Sequence, residues 1–465
     1  MTETTPLLTF YGDDFTGSTD VLESLAVNGI ETVLFLEPPE PCDLEAFGDV
    51  QAVGVAGNSR TMSPTEMDEQ LPPIFEALDD LGAELFHYKV CSTFDSAPEV
   101  GSIGHAIDIG MATFESPFVP VVVAAPSLRP RGRYVLFGNL FATVDDRTYR
   151  LDRHPTMSNH PVTPMTEADL RRHLGEQTDR EIGLLDVHAL DRKAGEELNA
   201  ALDAMLDSNE IALFDGLNHD HQEKVGQLIW ENTIERDETV FSASSSGLTY
   251  ALSRHWDKVG LVERAPRIWS ATAADQIVVM SGSASPATRD QIEWALDRGF
   301  TGVRLDTLRL VDSAEAEAAR EEAIERALEP LEAGNSVVCF AACGPDDPMI
   351  KKTLEQGESL GLNDSEIHER IGVEQGKIMR QLLDETGIRR ACVAGGDTSG
   401  YVAPQLEAYA LEFAAPVGPG SPLCRIRSRN ETFDGLEIAL KGGQVQTTHS
   451  EADYFGVVQA GGTSE

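Results

Sequence analysis

Short apolar runs rich in β-branched residues alternate with helical patterns along almost the whole chain, and that rhythm breaks once and then restarts. From the start the runs "LLTFYG", "ETVLFL", "DVQAVGVAG" and "ELFHYKV" are separated by "STDVLESLAVNG" and "SPTEMDEQLPPIFEALDDLG". Such alternation predicts an α/β fold with mainly parallel sheets flanked by helices. Further strands are expected at "FVPVVVAAP", "EIGLLDV", "EIALFDG" and "ETVFSASS". The rhythm fails in "DKVGLVERAPRIWSATAAD", which carries Pro266 and many small residues and reads as a linker. It resumes with "QIVVMSGSAS", a helix from Pro286, "SVVCFAACG", a long helix through "EIHERIGVEQGKIMRQLLDETG", and "RRACVAGGDTSG". The expected organisation is therefore two α/β domains, 1–260 and 270–465, with the active site in the cleft between them. Residues 138–165 read as irregular, with the clustered Asp, Arg, His and Pro of "DRHPTMSNHPVTP", and long non-periodic stretches are more often functional than idle.

At 465 residues the chain can bury a large core without staples. The six cysteines are scattered with no Cys-x-x-Cys pair, so free and mainly buried thiols are expected. No apolar run reaches a membrane span, and "MTETTPLL" has no signal-peptide character, which together predict a cytoplasmic protein. The formal net charge is −42, and the basic residues are 28 arginines and only 8 lysines. That balance argues against nucleic acid or an anionic membrane as partner. It fits adaptation to a salty cytoplasm, and screening of self-repulsion should then raise the melting temperature from low to molar KCl. A melting temperature that stays flat or falls over that range would contradict this reading. An anionic ligand must meet local positive charge set against the chain's own field, so the few basic residues near glycines and acids are informative.

Ligands of open α/β sheets bind at the carboxyl ends of the strands. In the first domain those ends carry Asp13, Asp14 and Thr16, then "GNSR" with Arg60, then "KVCSTFDS" with Lys89, Ser92, Thr93 and Asp95. A guanidinium and an ammonium can hold a carboxylate, and Asp side chains accept hydrogen bonds from sugar hydroxyls. Each residue alone could be a cap or a surface ion pair, and one of the adjacent acids suffices to cap the next helix. Three polar strand ends together point to a small hydroxylated anion. In the second domain the equivalent positions are "MSGSAS" with Ser281, Gly282 and Ser283, "ACGPDD" with Gly344, "AGGDTSG" with Gly395, Gly396, Asp397 and Thr398, and "PVGPGSP". Glycine admits close approach of backbone amides to phosphate, and a helix beginning at Pro286 or just after Ser399 would turn its positive end to the anion. Four such loops read as a nucleotide phosphate cradle.

Other chemistries fit poorly. There is no G-x-x-x-x-G-K-[ST], since "GVEQGK" is one residue short and lies in a helical pattern, and there is no G-x-G-x-x-G. Asp13 and Asp14 are adjacent, whereas an aspartyl-phosphate hydrolase needs its acids two apart. His154, His160 and His173 match no standard zinc spacing and read as loop residues or substrate contacts.

The strings "DDFTGSTD", "YKVCSTFDSAPEVGSIG", "HPVTPMTEADL", "SGSASPATRDQ", "GGDTSG" and "PLCR" together resemble the four-carbon acid sugar kinase family, in its order and over nearly the whole chain. The resemblance implies an N-terminal substrate domain, a C-terminal ATP domain and phosphoryl transfer from ATP to the terminal C4 hydroxyl of an acid such as 3-oxo-tetronate, threonate or erythronate. It implies Asp13, Asp14, Arg60, Lys89, Ser92, Thr93 and Asp95 on the substrate side. On the nucleotide side it implies Ser281, Gly282, Ser283, Gly395, Gly396, Asp397 and Thr398. In the corresponding mechanism Asp14 or Asp13 orients the attacking hydroxyl, Arg60 and Lys89 grip the carboxylate, and Asp397 is the carboxylate nearest Mg²⁺. The partners expected are the sugar acid and ATP, with a homo-oligomer left open. A non-catalytic sugar-acid sensor and an ATP-dependent ligase remain the alternatives. One departure stands out: "LKGGQVQTTHSEADYF" replaces the family's Lys-Ser-Gly-Asn-Phe-Gly run, so the sequence assigns Lys441 no role.

Overall fold

The computed structural model describes residues 5–126, 128, 132–144, 147–159, 163–236, 238–262, 271–443, 445 and 453–462. Pro266 and His160 lie outside them. The chain divides into two compact units, Met1–Pro266 and Arg267–Glu465.

The first unit carries β1 (Leu8–Gly12), β2 (Thr32–Phe35), β3 (Ala52–Ala56), β4 (Leu85–Lys89), β5 (Val119–Val122), β6 (Arg133–Leu136), β7 (Asn139–Val144), β8 (Arg147–Arg150), β9 (Ile182–Leu185), β10 (Ile211–Phe214) and β11 (Val240–Ser244). Its main sheet runs β11-β4-β1-β3-β2 with every pair parallel. All five residues of β1, of β4 and of β11 are buried, as strands covered on both faces must be. The chain passes to opposite sides of β1, with β3 on one flank and β4 on the other, so the crevice at their carboxyl ends is a topological switch point. A smaller parallel sheet has the order β5-β10-β9. The stretch expected to be irregular differs: β6, β7 and β8 form an antiparallel meander. Its last strand, "RTYR", is largely exposed and lacks the apolar alternation that would have revealed it.

An aromatic slab lies in the core under the strand ends. Tyr11 and Tyr88 stack at 5.9 Å, and Phe75, Phe86, Phe114 and Phe241 pack on one another at 4.5–5.9 Å between centroids. The Tyr88 hydroxyl finds Ser59 Oγ at 2.7 Å, satisfying the one polar atom that this ring takes into the core.

The second unit carries β12 (Val278–Ser281), β13 (Thr301–Arg304), β14 (Val337–Phe340), β15 (Arg390–Ala394), β16 (Ala408–Gly418), β17 (Ser421–Ser428) and β18 (Glu437–Lys441). Their order is β16-β17-β18-β15-β12-β14-β13, parallel from β18 to β13 and antiparallel across β16, β17 and β18. The expected helix does start at Pro286, with Ser285 Oγ accepting from Thr288 N at 3.1 Å. The long helix is Asp364–Thr386, opened by a capping box from Asn363 and Glu366 and closed by Gly387 at φ 67°. Two expectations are corrected. The helix after β15 begins at Gly396, four residues before the start expected just after Ser399, which puts Asp397 and Thr398 in its first turn. "PVGPGSP" is the turn between β16 and β17, because the glycines that suit a phosphate loop suit a hairpin equally well. Of the six free cysteines, Cys339, Cys392 and Cys424 are buried, Cys91 and Cys343 half-buried and Cys42 exposed.

Candidate functional site

Backbone bonds stitch the three expected strand ends of the first unit together: Asp13 N donates to Lys89 O at 2.9 Å and Arg60 N to Asp13 O at 3.0 Å. Arg60 then forks between the two acids. Its Nε and Nη2 donate to the Asp13 carboxylate at 3.2 and 2.7 Å, and its Nη1 donates to Asp14 Oδ2 at 2.9 Å. Asp14 also caps the helix Phe15–Ala26, Oδ1 accepting from Gly17 N at 2.7 Å. The cap expected of one of the paired acids therefore falls on Asp14.

The two carboxylates sit in different surroundings. The Asp13 side chain is 3% exposed and that of Asp14 28%. Burial raises the proton affinity of Asp13, Arg60 opposes that, and Asp14 adds to it. Burial alone would pull Arg60 down, but the two carboxylates hold its guanidinium well above the ordinary arginine range. Arg60 is therefore engaged by acids on all three nitrogens. Lys89, also buried, pairs with Asp20 at 3.4 Å, a partner the sequence reading missed. An ideal Cβ on Gly17 would come within 2.5 Å of Asp14 Oδ1 and 3.2 Å of Lys89 Nζ, so only glycine leaves that gap open.

The loop after β4 completes this rim. Thr93 Oγ1 donates to Asp95 Oδ2 at 3.0 Å, while Asp95 Oδ1 is buried with no hydrogen-bond partner among the described residues. An orphaned carboxylate oxygen is an acceptor waiting for a hydroxyl. Phe94 between them holds φ 58°, a left-handed conformation that costs a bulky residue energy and clusters at ligand sites. Ser92 and Thr16 are half-buried beside these groups in sequence. Burial, with Asp95 adding, pushes the Cys91 thiol up to about 11, so it is no nucleophile. Of the histidines noted in the sequence, His173 bonds Ser96 Oγ at 2.9 Å and His154 Nδ1 accepts from Thr156 N and Met157 N at 3.2 and 3.3 Å.

In the second unit the loops after β12 and β15 meet at the other switch point, Gly282 N and Ser283 N both donating to Ala394 O at 3.0 and 3.1 Å. Gly395 holds φ 133°. A Cβ on Gly282 would fall 2.1 Å from Thr398 Oγ1, and one on Gly395 2.7 Å from it. These glycines let two loops close on Thr398, a use the phosphate argument had not included. Gly344 sits at φ 93° against the Arg289 side chain. Ser281 Oγ is buried without a hydrogen-bond partner among the described residues.

Beside these loops opens a cleft of about 200 Å³ that no motif announced. Gly282, Asp397 and Thr398 line it together with apolar side chains of Met349, Ile371 and Tyr401. Tyr401 lies over Gly372 of the long helix, where a Cβ would clash with the ring at 2.2 Å. Apolar walls with polar groups at one end suit a flat heterocycle joined to phosphates. The first turn of the helix Gly396–Gln405, which has no side-chain cap at Gly395, lines it. Asp397 is exposed, and among the described residues no group of three His, Cys, Asp or Glu side chains converges as a metal site. A magnesium ion held in this cleft would find the Asp397 carboxylate on its lining.

Residues 8–252 match the family described as a sugar-binding N-terminal domain and residues 278–449 the family described as a nucleotide-binding C-terminal domain. These matches define a two-domain protein that pairs a sugar site with a nucleotide site. A 3-oxo-isoapionate kinase of Paraburkholderia graminis is 45% identical over 98% of this chain and 94% of its own. A 3-oxo-tetronate kinase of Cupriavidus necator is 31% identical over 94% of both chains. The crystal structure of a Haemophilus influenzae protein shares the fold, with TM-score 0.70, 22% identity and coverage of 97% of this chain and 99% of that one. The chain belongs to the four-carbon acid sugar kinase family. No described helix is long and apolar enough to cross a membrane.

Proposed function

We propose that this kinase transfers the γ-phosphoryl group of ATP to the terminal hydroxyl of a 3-oxo sugar acid, with 3-oxo-isoapionate the first candidate and 3-oxo-tetronate the second. The observation that carries the choice is the 45% identity over 98% of the chain with a 3-oxo-isoapionate kinase, against 31% for a 3-oxo-tetronate kinase. Phosphoryl transfer asks for positioning and charge neutralisation more than covalent chemistry. Asp14, the more exposed of the two acids, orients the attacking hydroxyl and takes its proton. Asp13 and Arg60 fix Asp14, so Arg60 acts on the acids before it acts on any substrate carboxylate. Lys89 supplies positive charge at the rim, and Thr16, Ser92, Thr93 and the orphaned Asp95 oxygen meet the substrate's polar groups. Ser281, Gly282, Ser283, Gly344, Gly395, Gly396 and Thr398 frame the phosphates, with the adenine in the apolar cleft. Magnesium, when bound, would neutralise charge on the phosphates, and Asp397 would be the residue that helps hold it.

The test is incubation of the full chain with ATP, Mg²⁺ and a panel of 3-oxo-isoapionate, 3-oxo-tetronate, threonate and erythronate, following ADP release and locating the phosphate by NMR. Phosphate on a terminal carbon is expected. Binding without turnover would make the protein a sensor, and phosphate on the carboxylate would make it a ligase. A β-branched side chain at Gly396 puts atoms where backbone must meet phosphate, so Gly396→Val should abolish calorimetric ATP binding while substrate binding survives. Unchanged ATP affinity in the folded variant would remove the cradle.

A further inference from the structure

Lys441 ends β18 in register with Ala394 of β15, and its carbonyl accepts from Gly395 N at 2.9 Å. Its side chain is fully buried. The ammonium donates to Thr288 Oγ1 at 3.1 Å and Gly442 O at 3.0 Å and lies 5.7 Å from the centre of the Tyr454 ring. No described carboxylate pairs with it. In a chain with 78 acidic and 36 basic side chains, a buried cation with no acid among the described residues beside it is not a default of composition. Among the described residues, the groups that face it are the Cys392 thiol of β15, which burial pushes up to about 12, the Tyr454 ring, whose hydroxyl donates to Ser421 O at 2.9 Å, and the hydroxyl of Thr288. None is an anion near neutral pH.

The contacts of Lys441 lead to the nucleotide loops. Thr288 Oγ1 also bonds Ser283 Oγ at 3.1 Å and Gly443 O at 3.0 Å, and Ser285 Oγ bonds Gly443 O. Lys441 thereby ties the first turn of the helix Pro286–Leu296, the loop 282–285 and the turn 442–443 into one network. We propose that Lys441 is the buried counter-charge of the nucleotide phosphates, a positioning residue that acts through Thr288 and Ser283 and is completed electrically only when the anion binds.

The proposal rests on the nucleotide reading above and adds a proton to it. Burial lowers the Lys441 ammonium to about 8. An arriving polyanion favours the charged form and raises that value, so binding takes up a proton in the window above pH 8. At pH 8.5 the free protein holds about a quarter of a proton on this amine, so uptake approaches about three-quarters on full protonation.

The experiment is calorimetric titration of the full chain with ADP at pH 8.5 in buffers of different ionisation enthalpy. Wild type should take up a substantial part of a proton. Lys441→Met should bind ADP at least about tenfold more weakly with no uptake, and it should melt no lower than wild type, since a flexible apolar side chain replaces a costly buried charge. Lys441→Arg, which stays charged, should regain affinity without uptake. ADP binding to wild type without proton uptake overturns the proposal and leaves the nucleotide reading intact, and so does wild-type affinity in Lys441→Met. A wild type that binds no adenine nucleotide removes both.

Discussion

Asp14→Asn is expected to lower turnover by about 10²–10⁴-fold with little change in substrate affinity. The amide keeps the size of the carboxylate, and its oxygen can still accept from Gly17 N, so the helix cap survives. In the proposed mechanism, what goes is the negative charge beside the attacking hydroxyl and the basic oxygen that receives its proton. Asp13→Asn should act differently. Asp13 is buried and faces Arg60 with both oxygens, so losing its charge loosens the guanidinium that holds Asp14, and substrate binding should suffer more than in the Asp14 variant. Steady-state kinetics with the accepted sugar acid, with thermal melts on the same samples, checks both. Near wild-type turnover in a folded Asp14→Asn protein would return the acid pair to a structural role.

Arg60→Met should cost about 3–5 kcal/mol of stability, because it strands the buried Asp13 carboxylate without its counter-charge. Relief should come from a second change: in Arg60→Met/Asp13→Asn the buried charge is gone, and most of the loss should be recovered. Urea titration of the full chain, read for the transition of the first unit, gives the coupling between the two sites. A single variant within about 1 kcal/mol of wild type would mean that water or Asp14 already compensates Asp13.

The strands and the polar residues at their carboxyl ends were legible in the sequence because both leave short-range signals. The acids at 13 and 14 end an apolar run, and Ser285-Pro286 marks a helix start by local chemistry alone. What stayed hidden was pairing over distance. The fork of Arg60 onto both acids, the bond of Lys89 to Asp20 and the absence of a described acid around Lys441 depend on which strand ends fall side by side. The apolar cleft draws on residues 349, 371 and 401 from three helices, each an ordinary amphipathic position by itself. The hairpin around "PVGPGSP" was misread because turn glycines carry no label for what they turn around.

The slab of Tyr11, Tyr88, Phe75, Phe86, Phe114 and Phe241 divides the first unit into parts that can and cannot vary. Close-packed rings resist compression, and a swap among them shifts β1, β4 and β11 together, moving the acid pair and Lys89 with them. On the proposed reading, new substrate preferences fall more readily to the loop from Cys91 to Asp95, which contributes none of these six rings, while the acid pair at Asp13 and Asp14 is held as a fixed block.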